Sequence, residues 1–549
     1  MSLLVLSMLL ATPIVVVVSS VFFTAGDIWT HLLDTVLTRY ARNSLLLMAG
    51  VSVGVLALGI YPAWIVTVYR FPGSKMLEWA LLLPLAIPAY IIAYTYTGML
   101  DVAGPLQSAL REAFEWRYGD YWFPEIRSLG GAIAMLSLVF YPYVYLLARA
   151  AFAEQSGNVM ETARSLGCSQ HSAFFRVALP LARPAIVVGL SIALMETLAD
   201  YGTVQYFGIS TFTTGIYRTW NGLGSSIGAA QLSALLLGFV FVLVSLEAWS
   251  RQQSQFFNTG ARNRPSTPGT LRGPSLCLAY AVCGLPVLLG FVVPFMQLLV
   301  WASITYDTIL TRDFAGYLFN SVTLAAITAI AALGLALFIA YGKRVFPSQL
   351  TRASSRLVGL GYALPGTVVA IGVLVPFAWF DNRLSEFMVA TFDYNTGLLL
   401  SGTVFILVFA YLVRFLPIAL NTVDAGLAKI RPSMDETGRS MGFSPAALLR
   451  RVHIPIMRGS LATALLLVFV DVLKELPATL LLRPFNFNTL AIRTYELANE
   501  ERLADAAGPA LAIVLASLIP VILLSRTLRQ AGEAPSSLPQ GSSTSDESK

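Results

Sequence analysis

Two short stretches of this chain place carboxylates where the surrounding residues are almost entirely apolar. In METLADYG, residues 195–202, Glu196 and Asp200 stand four apart; in DVLKELPA, residues 471–478, Asp471 and Glu475 repeat that spacing with Lys474 between them. A separation of four puts both members of each pair on one helix face. An ionised side chain at the centre of a membrane-crossing helix costs ~2.5 to 3.5 kcal/mol, so four turned to lipid would cost on the order of 10 kcal/mol. They must therefore face protein, water or a cation. Carboxylates are hard oxygen ligands, and a ring of them makes a path for hard, highly charged cations. A second reading stands beside this one: Lys474 neutralises one carboxylate while the others hydrogen-bond to broken backbone and hold the centre together. Arg414, also inside an apolar run, fits snorkelling or pairing better than ligand binding.

The elements that carry these residues are membrane helices. Hydrophobic residues make up 56% of the 549 positions, charged residues 12%, and the mean hydropathy is +0.70. Soluble domains run nearer ~45 to 50% apolar and ~25% charged. The apolar residues fall into runs of about 20, the length that crosses a ~30 Å hydrocarbon core as helix. Twelve such runs are predicted, over residues 3–23, 44–66, 79–99, 129–150, 184–206, 227–249, 275–301, 321–341, 357–380, 396–420, 460–482 and 508–524. The fold class is all-α and polytopic, with the proline-bearing third and ninth runs the least regular.

The formal charge of +6 is informative by location, because Lys and Arg in short loops set orientation. Their bias places both termini on the cytoplasmic side, although Arg39 and Arg42 after the first run oppose it locally. The first run could also be a signal peptide. Its length, the lack of a basic residue before it and the lack of a clear small-residue cleavage site favour a retained helix. Cys168, Cys277 and Cys283 form no disulfide or ligand framework, and His31, His171 and His453 are scattered, so a histidine-based metal site is not expected. The tyrosines of YPYVY, residues 141–145, fit interfacial anchors.

The chain repeats itself. Shifted by 275 residues, ETARSLGCSQHSAFFRVALPLAR (161–183) falls without a gap on ETGRSMGFSPAALLRRVHIPIMR (436–458), and the same shift pairs Pro142 with Pro417, Glu196 with Asp471 and Asp200 with Glu475. Asn43-Ser44 matches Asn320-Ser321, and Pro88 matches Pro365, at an offset of 277. Six runs per half is an even number, so the halves enter the membrane in the same sense and are related by a pseudo-two-fold axis along its normal. The expected organisation is a first half over 1–250, a flexible basic linker over 251–275, a second half over 276–530 and a disordered tail over 531–549.

The repeated segment, within 152–183 and 427–458, is amphipathic: helix formers, then Gly167 or Gly442, then a second short basic helix, then Pro180 or Pro455. Glycine permits a positive-φ turn between two short helices, and the proline is expected to end the second before the next span. These residues resemble the "EAA" loop of ABC importer permeases: Glu161, Ala163, Gly167 and Leu179-Pro180 in one copy, and Glu436, Gly442 and Ile454-Pro455 in the other. Thr162, Thr437 and Gly438 depart from the alanines common there, and Gly438 is expected to soften the second copy. The resemblance implies that the segment is a coupling helix docking on an ATPase dimer at the cytoplasmic face. No GxxxxGK[ST] phosphate loop occurs, so the ATP is bound and hydrolysed on the partner, and the chain itself is a transport subunit without a cofactor.

IPAYIIAYTYTGML, YPYVYLLARAAF, METLADYGTVQYFG and KELPATLLLRPFNFNTLA resemble ferric-iron importer permeases of the fused type. That resemblance implies a type I importer fold in a bacterial inner membrane, a periplasmic iron-binding protein as donor and Fe(III) as cargo. Thiamine, polyamines, phosphonates or sulfate are the alternative cargoes within the same machinery. A secondary transporter also uses parallel repeats but leaves the twin elbows without a role. An intramembrane enzyme would need a nucleophile-base pair or a metal cluster, and neither is legible; nothing points to nucleic acid.

Overall fold

The computed structural model describes residues 2–24, 26–155, 167, 169–252, 269–309 and 312–532. The first half runs through α1 (Ser2–Ser19), α2 (Thr38–Val68), α3 (Ser74–Ala80), α4 (Ala89–Leu100), α5 (Leu129–Glu154), α6 (Leu179–Ala199), the short α7 (Gly202–Tyr206), α8 (Phe212–Asn221) and α9 (Ser226–Gln252). The second half repeats the order. Its opening helix is split into α10 (Pro274–Val287) and α11 (Val293–Ile304), and α12 (Arg312–Val345), α13 (Gln349–Gly359), α14 (Gly366–Phe392) and α15 (Val404–Ala428) follow. Two elbow helices come next, α16 (Pro432–Ser440) and α17 (Pro445–Leu448), then α18 (Ile454–Leu473), the short α19 (Pro477–Leu482), α20 (Leu490–Asn499) and α21 (Ala507–Gly532).

Among the described residues ten helical stretches are long and apolar enough to cross a membrane unaided. The pair Ser74–Ala86 and Ala89–Phe114, bent by 91° at Pro88, makes an eleventh, and the apolar stretch Ala507–Leu523 stands at the twelfth expected position. The third span is thus irregular where its proline stands. The fifth and eleventh spans start and end earlier than the sequence predicts, because α6 and α18 stop at Ala199 and Leu473 and the chain turns into α7 and α19.

The halves are interlaced. α1 packs on α13 and α14 of the second half, and a Cβ on Gly372 would lie 2.6 Å from the carbonyl oxygen of Pro13. In return Cys283, Val287, Phe291 and Leu298 of the α10–α11 segment are buried in the core of the first half. The closing helices cross over too: α9 lies against α14, and α21 against the 3-10 turn Leu83–Ala86 that precedes Pro88. At the end of α2, Tyr69 and Arg70 form a two-residue parallel ladder with Gly269 and Thr270, which ties the chain ahead of α10 to the first half. The rest of the expected flexible linker, residues 253–268, and the tail from 533 lie outside the described residues.

Close crossings depend on glycine. A Cβ on Gly189 of α6 would stand 2.8 Å from Val144 Cα and 2.9 Å from the carbonyl oxygen of Tyr143 on α5, whereas one on Gly238 of α9 meets nothing within 4 Å. Gly189→Val is expected to destabilise the protein by ~1 to 3 kcal/mol through overpacking, read as a lower thermal unfolding temperature in detergent, with Gly238→Val near neutral. Equal effects at both positions would contradict the crossing.

Candidate functional site

Four helix breaks meet at the centre of the molecule. Pro88 and Pro365, the residues matched by the repeat, adopt the same backbone conformation (φ −56°, ψ 144° and φ −58°, ψ 142°) ahead of α4 and α14. The other two breaks are Asp200-Tyr201 between α6 and α7, and Lys474 to Leu476 between α18 and α19. Three of these breaks, with Tyr362 from the turn ahead of Pro365, line a cavity of about 140 Å³ that holds all four predicted carboxylates, Glu196, Asp200, Asp471 and Glu475, with Arg414 and Lys474 beside them.

The breaks explain half of the carboxylates. Where a helix restarts inside an apolar layer, its first N–H groups need acceptors. Asp200 caps α7: Oδ1 accepts from the Val204 N–H at 3.1 Å and Oδ2 from the Thr203 hydroxyl at 2.9 Å. Glu475 caps α19 at the equivalent positions, Oε1 accepting from the Ala478 N–H at 3.0 Å and Oε2 from the Thr479 N–H at 3.1 Å and its hydroxyl at 2.8 Å. Because α6 ends at Ala199 and α18 at Leu473, the two carboxylates of each pair do not share a helix face as their spacing predicts: the first lies on the span and the second in the break. The competing principle is that a carboxylate makes a better helix cap than an interior residue.

Two cations complete the site, and both come from the second half. Arg414 of α15 donates to Glu475 at 3.0 Å, with side chains 13% and 2% exposed, and Lys474 lies 2.7 Å from Asp471. The repeat places Val139 and Ala199 at the corresponding positions of the first half. Glu196 has Arg414, Lys474 and Asp471 as its charged neighbours and takes no hydrogen bond from the described residues. Four tyrosines that sequence reasoning gave no such place, Tyr90, Tyr143, Tyr201 and Tyr362, also line the cavity. Tyr143 belongs to YPYVY, whose tyrosines are not interfacial anchors: Tyr141 and Tyr145 are fully buried, and Tyr145 donates to the Glu78 carbonyl at 2.7 Å. The available signal was their position next to Pro142, inside a span instead of at its edge. Asn43 and Asn320, matched by the repeat without a role, hold the loops that follow α7 and α19 by donating to the carbonyls of Ser210 and Asn488 at 3.0 and 3.1 Å.

The elbows form the second candidate surface. Gly167 and Gly442 both take positive φ, 81° and 78°. Glu161 and Ala163 lie outside the described residues. In the second copy, Glu436, Met434, Met441 and Gly442 are exposed. Asp435 fastens α16 to two spans, accepting from Arg344 Nε at 2.7 Å and lying 2.7 Å from His453 Nε2, while the other Arg344 nitrogens donate to the Leu427 and Ile430 carbonyls. Burial would raise the Asp435 carboxyl, but the Arg344 guanidinium and the His453 ring hold it below the usual carboxylate range. Gly438, expected to soften the elbow, has a packing role in the structure. It is the point where the two elbow helices close, since a Cβ there would lie 2.4 Å from Leu448 Cδ1.

Pro180 and Pro455 do not end the elbow. They stand in the first turns of α6 and α18, and each follows a π turn, Phe174–Ala178 and Leu449–His453, that keeps the helix continuous from elbow into span. Proline has no N–H for the carbonyl four residues back, and a widened turn accommodates that loss. The turn Leu288–Val292 before Pro294 repeats the device in the α10–α11 segment.

An interlaced pair of repeats with twin elbows and a central charged cavity defines a membrane permease, and the chain belongs to the family "binding-protein-dependent transport system inner membrane component", whose profile matches residues 55–251 and again 332–530. It is a multi-pass membrane protein. Among its relatives, the Fe(3+)-transport system permease protein FbpB 2 of Haemophilus influenzae is 28% identical over 488 residues, covering 88% of this chain and 89% of the relative. The probable ABC transporter permease protein y4fN of Sinorhizobium fredii is 24% identical over 90% of this chain and 88% of its own. The molybdenum transport system permease protein ModB of Escherichia coli is 24% identical over 35% of this chain and 84% of its own.

The caps and the ion pair differ in their expected energetic weight. Asp200→Ala removes a cap and is expected to cost ~0.5 to 2 kcal/mol. Glu475→Gln, which strips Arg414 of a buried partner as well, is expected to cost ~3 to 5 kcal/mol. Chemical or thermal unfolding in detergent checks the order, and a larger loss at Asp200 would contradict it.

Proposed function

We propose that the chain is the transmembrane subunit of an ATP-driven importer that carries iron(III), handed over by a periplasmic binding protein, into the cytoplasm through the cavity between its halves. The observation that supports the cargo is the degree of similarity. The relative named for Fe(3+) transport is 28% identical over 88% of this chain and 89% of its own, whereas the shorter relatives named for molybdenum and 2-aminoethylphosphonate are 24% and 25% identical over 200 and 216 residues.

In this reading the chain lies in a bacterial inner membrane with both termini and both elbows in the cytoplasm. Glu161, Ala163, Gly167 and Pro180 form one coupling elbow and Glu436, Gly442 and Pro455 the other, each seated on one subunit of a separate ATPase dimer that binds and hydrolyses the ATP. Closure of that dimer draws the elbows together. Because each elbow runs through a π turn into α6 or α18, the motion reaches the breaks at Asp200 and Lys474 without a flexible joint.

The test is iron uptake by iron-starved cells that depend on this permease with its ATPase and binding protein. Wild-type cells are expected to accumulate iron; uptake of thiamine, a polyamine, a phosphonate or sulfate in its place would overturn the cargo. Gly442→Val forces a β-branched residue into positive φ, a strain of ~1 to 2 kcal/mol. It is expected to lower uptake at least tenfold at an unchanged level of protein in the membrane. Undiminished uptake would remove the elbow from the coupling path.

A further inference from the structure

The carboxylates of the cavity are not equivalent. Asp200 and Glu475 spend their oxygens on the first turns of α7 and α19, and Glu475 is further locked by Arg414. Arg414 is itself wedged, since a Cβ on Gly366 would fall 2.3 Å from its Nη1 and 2.6 Å from Glu475 Oε1. The Lys474 pair is different. It is a single contact to Asp471 at 2.7 Å with both side chains partly open, 31% and 24% exposed. Glu196, the counterpart of Asp471 in the repeat, has Ala199 where the second half has Lys474, so the first half brings a carboxylate without its own cation.

A second observation, independent of the acidic residues, points into the same space. The Tyr90 side chain is 7% exposed and lines the cavity, and its hydroxyl has no hydrogen-bond partner among the described residues. Phenol and carboxylate oxygens are both hard ligands. Lys474 lines the cavity together with Asp471 and Glu196, with Arg414 as the second cation facing them, so its ammonium stands between the two pseudo-symmetric carboxylates.

We propose that Lys474 is a tethered cation holding the place of a travelling hard cation, and that Glu196 is the carboxylate which that cation engages when the ammonium is displaced. Asp200 and Glu475 hold the breaks and do not touch the cargo. The inference rests on the reading of the cavity as a cation passage. It narrows four candidate carboxylates to one and assigns the lysine a role in specificity: a cation has to outcompete an ammonium held by one contact, which favours high charge density.

The experiment uses the purified full-length permease in lipid nanodiscs and terbium(III) as the probe, read by emission sensitised by the neighbouring tyrosines. Lys474→Met is expected to tighten terbium binding at least tenfold over wild type, and Glu196→Gln in the Lys474→Met background to return it to the wild-type value. Lys474→Gln gives the same comparison if the methionine variant does not fold. Asp200→Asn in the same background is expected to lower the unfolding temperature and leave terbium affinity unchanged. Unchanged affinity on removing the lysine, or tightened binding that survives Glu196→Gln, overturns the proposal. The assay involves neither nucleotide nor binding protein, so it separates from the cargo test. Cells that fail to import iron while the terbium results hold remove the iron reading alone, and cells that import iron while terbium binding ignores Lys474 remove this inference alone.

Discussion

The structure depends on stopping a helix inside an apolar layer. A helix that ends there leaves N–H and C=O groups that lipid cannot satisfy, at several kcal/mol each, so an interruption is tolerated only where side chains or neighbouring protein supply partners. Asp200 and Glu475 supply them for α7 and α19, and the threonines beside them complete the set. With those caps the chain can turn twice near the middle of the molecule, and the turns leave a polar cavity where continuous helices would pack shut. The charges in the bilayer are first of all what permits the breaks.

Duplication then doubles this solution, and interlacing keeps it from being solvated. Each half buries the opening helix of the other, α1 against α14 and the α10–α11 segment against the first-half core, so the breaks lie beneath helices donated from across the pseudo-two-fold. The symmetric features are structural: the capping carboxylates, the prolines at 88 and 365, and the asparagines that hold the following loops. The cations break the symmetry. Arg414 and Lys474 stand opposite Val139 and Ala199, so both cations of the cavity come from one half.

Much of this was legible in the sequence, because membrane spans announce themselves by length and a repeat by its offset. The carboxylates converge as the repeat implies, and the elbow glycines take the left-handed conformation their position demands. The failures share a cause. The i, i+4 spacing of Glu196 and Asp200 describes a continuous helix, and only a three-dimensional neighbour can say that α6 ends between them. Tyr141, Tyr143 and Tyr145 look like interfacial residues by composition, yet depth in the bilayer is set by where α5 packs. Pro180 and Pro455 look like terminators, but a π turn ahead of each takes up one extra residue and keeps the helix continuous, and residue types do not mark it.

That last device bears on how a force could travel. α6 has 21 residues and α18 has 20, each about 30 Å long at 1.5 Å per residue. Each runs without a loop from an elbow to a cavity carboxylate, Glu196 on one and Asp471 on the other. A flexible joint at the proline would have dissipated a displacement of the elbow, whereas a continuous helix with one widened turn tilts as a rod. Asp435 reinforces the second elbow by holding α16 to Arg344 on α12 and His453 at the root of α18, so that both helices tilt together. A rod pivoting about packed neighbours such as Gly189 moves its two ends in opposite directions. Under the coupling proposed above, drawing the elbows together would separate the upper ends, where Asp471 holds Lys474 and Glu196 stands, and open the cavity away from the side on which the elbows close.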